Sequence, residues 1–133
     1  MKSLKGYNST AVSLTPDQYT ATGNGNGVDL LGYESALVVV STGAFGGTTP
    51  AASYTIQESV DGVTFTNVAD ASLDGVTGNG AGVPLAATST VQVGYLGRAR
   101  YLRVILASVT GTTPIIKAVG AIVRQRAHTL PTP

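Results

Sequence analysis

No stretch of this chain keeps apolar residues at the i, i+3, i+4, i+7 spacing that an amphipathic helix needs. Short runs of Val, Ile, Thr and Tyr take their place, each closed by Gly, Asn, Asp or Pro. A chain patterned this way is restricted to β-structure. About eight to ten short strands separated by turn signals predict an antiparallel β-sandwich or jelly roll.

The strands are expected in order. Thr10 to Leu14 alternates, and Thr15-Pro16-Asp17 is expected to turn the chain. Gln18 to Thr22 is a short extended piece, and Gly23 to Gly27 reads as a flexible loop because Gly and Asn tolerate positive φ. Val28 to Leu31 is short; Ser35 to Ser41 is apolar on both faces, as in a central strand. Ala51 to Glu58 puts Ala52, Tyr54 and Ile56 on one face, and Asp61-Gly62 predicts a hairpin turn into a strand facing inward with Val63 and Phe65. Asp70 to Gly82 reads as a long surface loop of the kind that often meets a partner. Val83 to Ala87 and Thr90 to Gly94 follow. Arg100 to Ser108 alternates clearly, with Leu102, Val104 and Leu106 inward, and Ile115 to Arg124 is expected to complete a hairpin with it. Residues 1–8 and 126–133 have the composition of extended arms, the second bounded by Pro131 and Pro133, around one domain at 9–125.

Gly47-Thr48-Thr49-Pro50 recurs as Gly111-Thr112-Thr113-Pro114, 111 − 47 = 64 residues later. Two similar hairpins, one per half, suit a sandwich of related halves.

Charge narrows the functional classes. Only 11% of residues are charged, against about 25% in ordinary domains. The net charge of +1 gives no pull toward nucleic acid or an anionic membrane. Lys117 is the only Lys beyond the first five residues. Isolated sandwiches guard their edges with such charges. The shortage therefore has two readings: other chains cover the edges, or Thr, Ser and Gly keep the surface wet. With no Cys there is neither a disulfide frame nor a thiolate metal site. The apolar run Ala36 to Val40 is too short to cross a bilayer, and the basic start lacks the apolar segment of a secretory signal, so synthesis in a cytosol is expected.

No catalytic set stands out, and no cofactor is expected. His128 sits in the tail without a positioned partner. The seven acids fall mostly at turns, where Asp is a turn former. Asp29, Asp70 and Asp74 are the acids nearest to a calcium set, and the Gly-Asn loop lacks the helix that a dinucleotide site needs. Arg98, Arg100, Arg103, Arg124 and Arg126 group around the last two strands, where pairing would bring Arg103 near Arg124. Arginine so placed favours protein contact over nucleic acid.

Two resemblances follow from these segments. Gln57-Glu58-Ser59-Val60-Asp61-Gly62-Val63-Thr64-Phe65-Thr66-Asn67-Val68, followed by Ala99-Arg100-Tyr101-Leu102-Arg103-Val104, is similar to core strands of discoidin or galactose-binding-like jelly rolls. That similarity implies the fold more than sugar binding. More broadly, the order of Thr22 to Leu30, Tyr33 to Val40, Gln57 to Gly62 and Arg100 to Val104 leading into Gly111 to Pro114 resembles small β-sandwich virion proteins of tailed phages. The resemblance implies a head-decoration or cement subunit on the outer capsid surface, made in the bacterial cytoplasm, with the major capsid protein as partner and self-association as a homotrimer or homodimer. A carbohydrate-binding module or a tail or head-fibre protein is the alternative. The expected contacts are Lys2, Lys5 and Tyr7 on the first arm, Asp74 and Asn79 in the long loop, and Arg124 and Arg126 at the other end.

Overall fold

The computed structural model describes residues 3–126. Among these residues nine strands form one antiparallel sheet: β1 (Asn8–Tyr19), β2 (Gly23–Asn24), β3 (Val28–Asp29), β4 (Ser35–Ser59), β5 (Thr66–Asn67), β6 (Leu73–Asp74), β7 (Val83–Pro84), β8 (Thr90–Tyr95) and β9 (Tyr101–Gln125). The fold is all-β, as the residue pattern predicts.

Strands β4 and β9 have 25 residues each and pair from Ser35 with Gln125 to Ser59 with Tyr101. Fully extended, such a ribbon would span about 80 Å. A domain of this size has a radius of gyration of only about 14 Å, so the ribbon must fold on itself. It creases where the two Gly-Thr-Thr-Pro segments lie side by side, Thr48 opposite Thr112, with register shifts around them. Both copies need their glycine. Gly47 and Gly111 have φ of 96° and 119°, and a Cβ would stand 2.4 Å from the Thr113 carbonyl oxygen in the first case and 2.8 Å from that of Thr49 in the second. Thr49 and Thr113 also lie in the left-handed region, at φ 48° and 44°, where a β-branched side chain is strained. The repeated segments are thus not two hairpins but the two strands' shares of one crease in one ribbon. The expected hairpin between residues 101–108 and 115–124 does not form, because both belong to β9 and each pairs with β4 instead.

The crease produces a sandwich. One layer runs β1-β9-β4-β8-β6, using the second half of β9 and the first half of β4. The other places the first half of β9 beside the second half of β4, with β2 and β3 outside β9 and β5 and β7 outside β4. The layers meet closely: a Cβ on Gly120 would lie 3.0 Å from Leu14 and 3.1 Å from Val104, a residue of the same strand. Leu14, Val38, Val40, Val93, Ile116 and Ile122 fill the core from one layer, and Tyr54, Ile56, Leu102, Val104 and Leu106 from the other. Their alternation along β4 and β9 matches the strand faces read from the sequence, and Ser35 to Ser41 is central, between β8 and β9.

Three local expectations are corrected. Thr15-Pro16-Asp17 does not turn the chain; it is a bulge inside β1, between Leu14 opposite Gly120 and Asp17 opposite Ala118. β1 is an edge strand, where a proline's missing N–H costs no ladder bond. Gly23 to Gly27 is not a loose loop. Gly25 is buried, its N–H donates to the Val104 carbonyl, and a Cβ there would fall 2.2 Å from that oxygen. Ser13, also buried, donates its hydroxyl to the Asn26 carbonyl and accepts the Val104 N–H, tying β1 to the facing layer. Val63 does not face inward: it is 83% exposed, and pairing resumes only at Thr66.

The long loop is fastened rather than free. Leu73 is buried and β6 pairs with β8. Asn79 is fully buried: its amide oxygen accepts the Ile56 N–H, and its amide nitrogen donates to the Ile56 and Val68 carbonyls. Asp70 receives the Gly78 and Asn79 N–H groups, which draws its pKa down. A second echo runs through this loop. Thr22-Gly23-Asn24-Gly25-Asn26-Gly27-Val28 returns as Thr77-Gly78-Asn79-Gly80-Ala81-Gly82-Val83, 77 − 22 = 55 residues on. Its copies edge the second layer from opposite sides, Val28 against Leu102 and Val83 against Tyr54.

Candidate functional site

Creasing the ribbon leaves its open ends together, opposite the crease. The connections at residues 30–34, 60–65 and 96–100 therefore cluster at one end of the sandwich. The chain ends join them: Asn8 pairs with Gln125, and the Arg126 N–H donates to the Tyr7 carbonyl.

Arginine and tyrosine build this end. Arg100 grips Asp29 in a two-pronged pair, Nε to Oδ1 at 3.1 Å and Nη2 to Oδ2 at 2.9 Å. This bond and the Leu31 N–H hold the Asp29 pKa at about 2. Arg124 donates to the Asp29 carbonyl and the Ser9 hydroxyl, and its guanidinium lies 4.6 Å from the Tyr33 ring centre. Arg126 stands 5.8 Å from the same ring. The Tyr95 hydroxyl donates to the Glu58 carboxylate across the layers and accepts the Ala99 N–H. Burial, then Glu58, pushes the Tyr95 pKa to about 12. The chain passes so close to this hydroxyl that a Cβ on Gly97 would be 2.4 Å from it.

The connection at 60–65 is also locked. Asp61 accepts the Val63 and Thr64 N–H groups and the Ser59 hydroxyl, in that order of effect on a pKa lowered to about 2. Gly62 at φ 79° completes the turn that the sequence predicts.

A cleft of about 380 Å³ opens between residues 30–35 on one wall and 97–100 on the other, over Ala36 and Tyr95. A smaller one of about 240 Å³ runs along Glu58 to Asp61 and shares Ala99. Six of the eight large apolar side chains exposed among the described residues stand at this end: Leu4, Tyr7, Leu31, Val60, Val63 and Leu96. That concentration marks the loop end, and not the crease, as the candidate contact surface.

The sequence-predicted contacts divide. Lys5 is exposed in the turn Leu4 to Tyr7, and Tyr7, Arg124 and Arg126 gather at the joined chain ends. Lys2, His128 and residues 127–133 lie outside the described residues. Asp74 is exposed on β6, on the far side of β8 from the chain ends. Asn79 is no contact residue, because its side chain closes the interior of the second layer. Arg103 does not approach Arg124 through strand pairing; it forks onto Gln57 Oε1 at 2.9 and 2.7 Å and lies 4.1 Å from the Phe65 ring centre. Asp29 and Asp70 are held on opposite edges of the second layer, which separates the candidate calcium set.

Sequence reasoning missed Leu31, Tyr33, Glu34 and Leu96, and had Arg98 only as one of the grouped arginines. A signal was present in Leu31-Gly32-Tyr33 and Tyr95-Leu96-Gly97, where the same Leu-Gly step stands beside a tyrosine in the two connections that border the cleft.

The carboxylates of Asp29, Glu58 and Asp61 are thus engaged within the fold. The surface offers aliphatic area, stacked arginines and the side chains of Glu34 and Arg98. Comparison of the chain with known protein families, with curated proteins and with solved structures finds no match.

Proposed function

We propose that this chain is a non-catalytic structural subunit that binds other proteins. More particularly, we propose a capsid-decoration role: a cement subunit made in the bacterial cytoplasm and carried on the outer surface of a tailed-phage head, with the major capsid protein as partner. The observation that carries this reading is the joining of the chain ends. Asn8 pairs with Gln125 beside the exposed aliphatics, and Arg126 bonds to Tyr7, so both ends of the described chain lie at one place on the sandwich. Segments that order on a partner wrap large surfaces, and lattice repetition sums weak contacts. The resemblance of the ordered segments to phage virion sandwiches supplies the identity of the lattice.

The test mixes purified full-length protein with undecorated phage heads. Co-sedimentation and greater heat resistance of the heads are the expected result. Absence of affinity together with unchanged resistance overturns the proposal. Deleting residues 1–6 is expected to weaken attachment while the sandwich stays folded, because β1 begins at Asn8.

A further inference from the structure

We propose that the loop end is a twofold self-association surface, joining two copies of this chain cleft to cleft. The argument begins with unmet groups. Leu31 and Leu96 are 67% and 65% exposed, one on a wall of the cleft and the other next to Gly97 on the opposite wall. Glu34 and Arg98 are exposed on those same opposite walls, and neither side chain has an ion pair or hydrogen bond among the described residues.

Opposite charges on facing walls make the surface complementary to itself. A twofold axis along the cleft turns the wall carrying Arg98 toward the partner's wall carrying Glu34, and does so twice. Leu31 of each copy then meets Leu96 of the other at the centre, where exclusion of water strengthens the flanking ion pairs. A patch of a single sign would repel its own copy. Glycine at positions 32 and 97 leaves the rims low enough for close approach, and a Cβ on Gly32 would touch nothing within 4 Å of its own chain.

The experiment is light scattering on the full chain over a concentration series reaching on the order of 1 mM, with each variant's fold checked by circular dichroism. Wild type is expected to approach twice 13.4 kDa. The double variant Leu31→Asp, Leu96→Asp is expected to stay monomeric. Glu34→Arg and Arg98→Glu alone are each expected to weaken the dimer about tenfold, and the combined swap to restore it. A wild-type monomer throughout, a trimer, or a dimer indifferent to the leucine variants overturns the proposal, as does a swap that fails to rescue. The capsid reading is tested separately: a dimer that ignores phage heads removes that function and leaves this interface standing.

Discussion

The two ends of the sandwich are built by different means. At the crease the backbone does the shaping: two glycines and two threonines in the left-handed region, each threonine followed by proline. At the loop end side chains do it: Arg100 on Asp29, Arg124 on Tyr33, Tyr95 on Glu58, Asp61 on its own turn. Backbone contacts at carbonyl distance tolerate no added atom, whereas exposed ion pairs are replaceable. The crease is therefore expected to be rigid and intolerant of change, and the loop end to be adjustable, as suits a contact surface.

The comparison breaks most sharply away from both ends, in the second layer. Asn79→Ala leaves the Ile56 N–H and the Val68 carbonyl without the side chain that pairs them in the interior, while the Ile56 carbonyl keeps the Val68 N–H. A loss of about 4 kcal/mol in urea unfolding is expected; a loss below about 1 kcal/mol would show that water enters and that the long loop is a free arm after all. Gly47→Ala places a Cβ 2.4 Å from the Thr113 carbonyl oxygen at positive φ, and is expected to cost about 3 kcal/mol. Its counterpart at the loop end, Gly32→Ala, shares the positive φ but meets nothing within 4 Å, so about 1 kcal/mol is expected. Equal losses would erase the distinction between the ends.

Strain relief is a smaller effect of opposite sign. Thr113→Asn substitutes a residue that tolerates the left-handed region, and a gain of about 0.5–1 kcal/mol in thermal or urea unfolding is expected. A loss instead would mean that the threonine makes a compensating contact. The smallest effect is on acid stability. Asp29 and Asp61 titrate near about 2 in the folded chain and at about 4 when unfolded. Their contribution is complete above about pH 4, declines as the pH falls, and is gone below about pH 2. An Asp29→Asn, Asp61→Asn double variant is expected to show a flatter stability profile between those values; an unchanged slope would assign the acid sensitivity to other carboxylates.

Much of the strand content was readable because β4 and β9 alternate cleanly. Tyr54, Ile56, Leu102 and Val104 fall inward where period two places them. Asp61-Gly62 was readable because its turn is closed by its own neighbours. Gly25 was not, since glycine signals both freedom and close approach, and only the nearby Val104 carbonyl tells which applies. Asn79 was misread for a similar reason: an Asn among glycines has the look of a turn until the edge of β4 is brought against it. Arg124 and Arg126 were legible as a pair, but the Tyr33 ring that both approach comes from 91 residues earlier than Arg124, since 124 − 33 = 91.

By itself the sequence determined the local quantities: which residues extend, which face of each strand is apolar, and where four-residue segments repeat. These depend on neighbours within a few positions along the chain. The tertiary structure alone decided that the two repeats lie side by side, that the strands holding them pass through both layers, and that the chain ends meet. Those outcomes depend on a ribbon too long for its own core folding back until Gly120 meets Val104, a packing requirement that no local window contains.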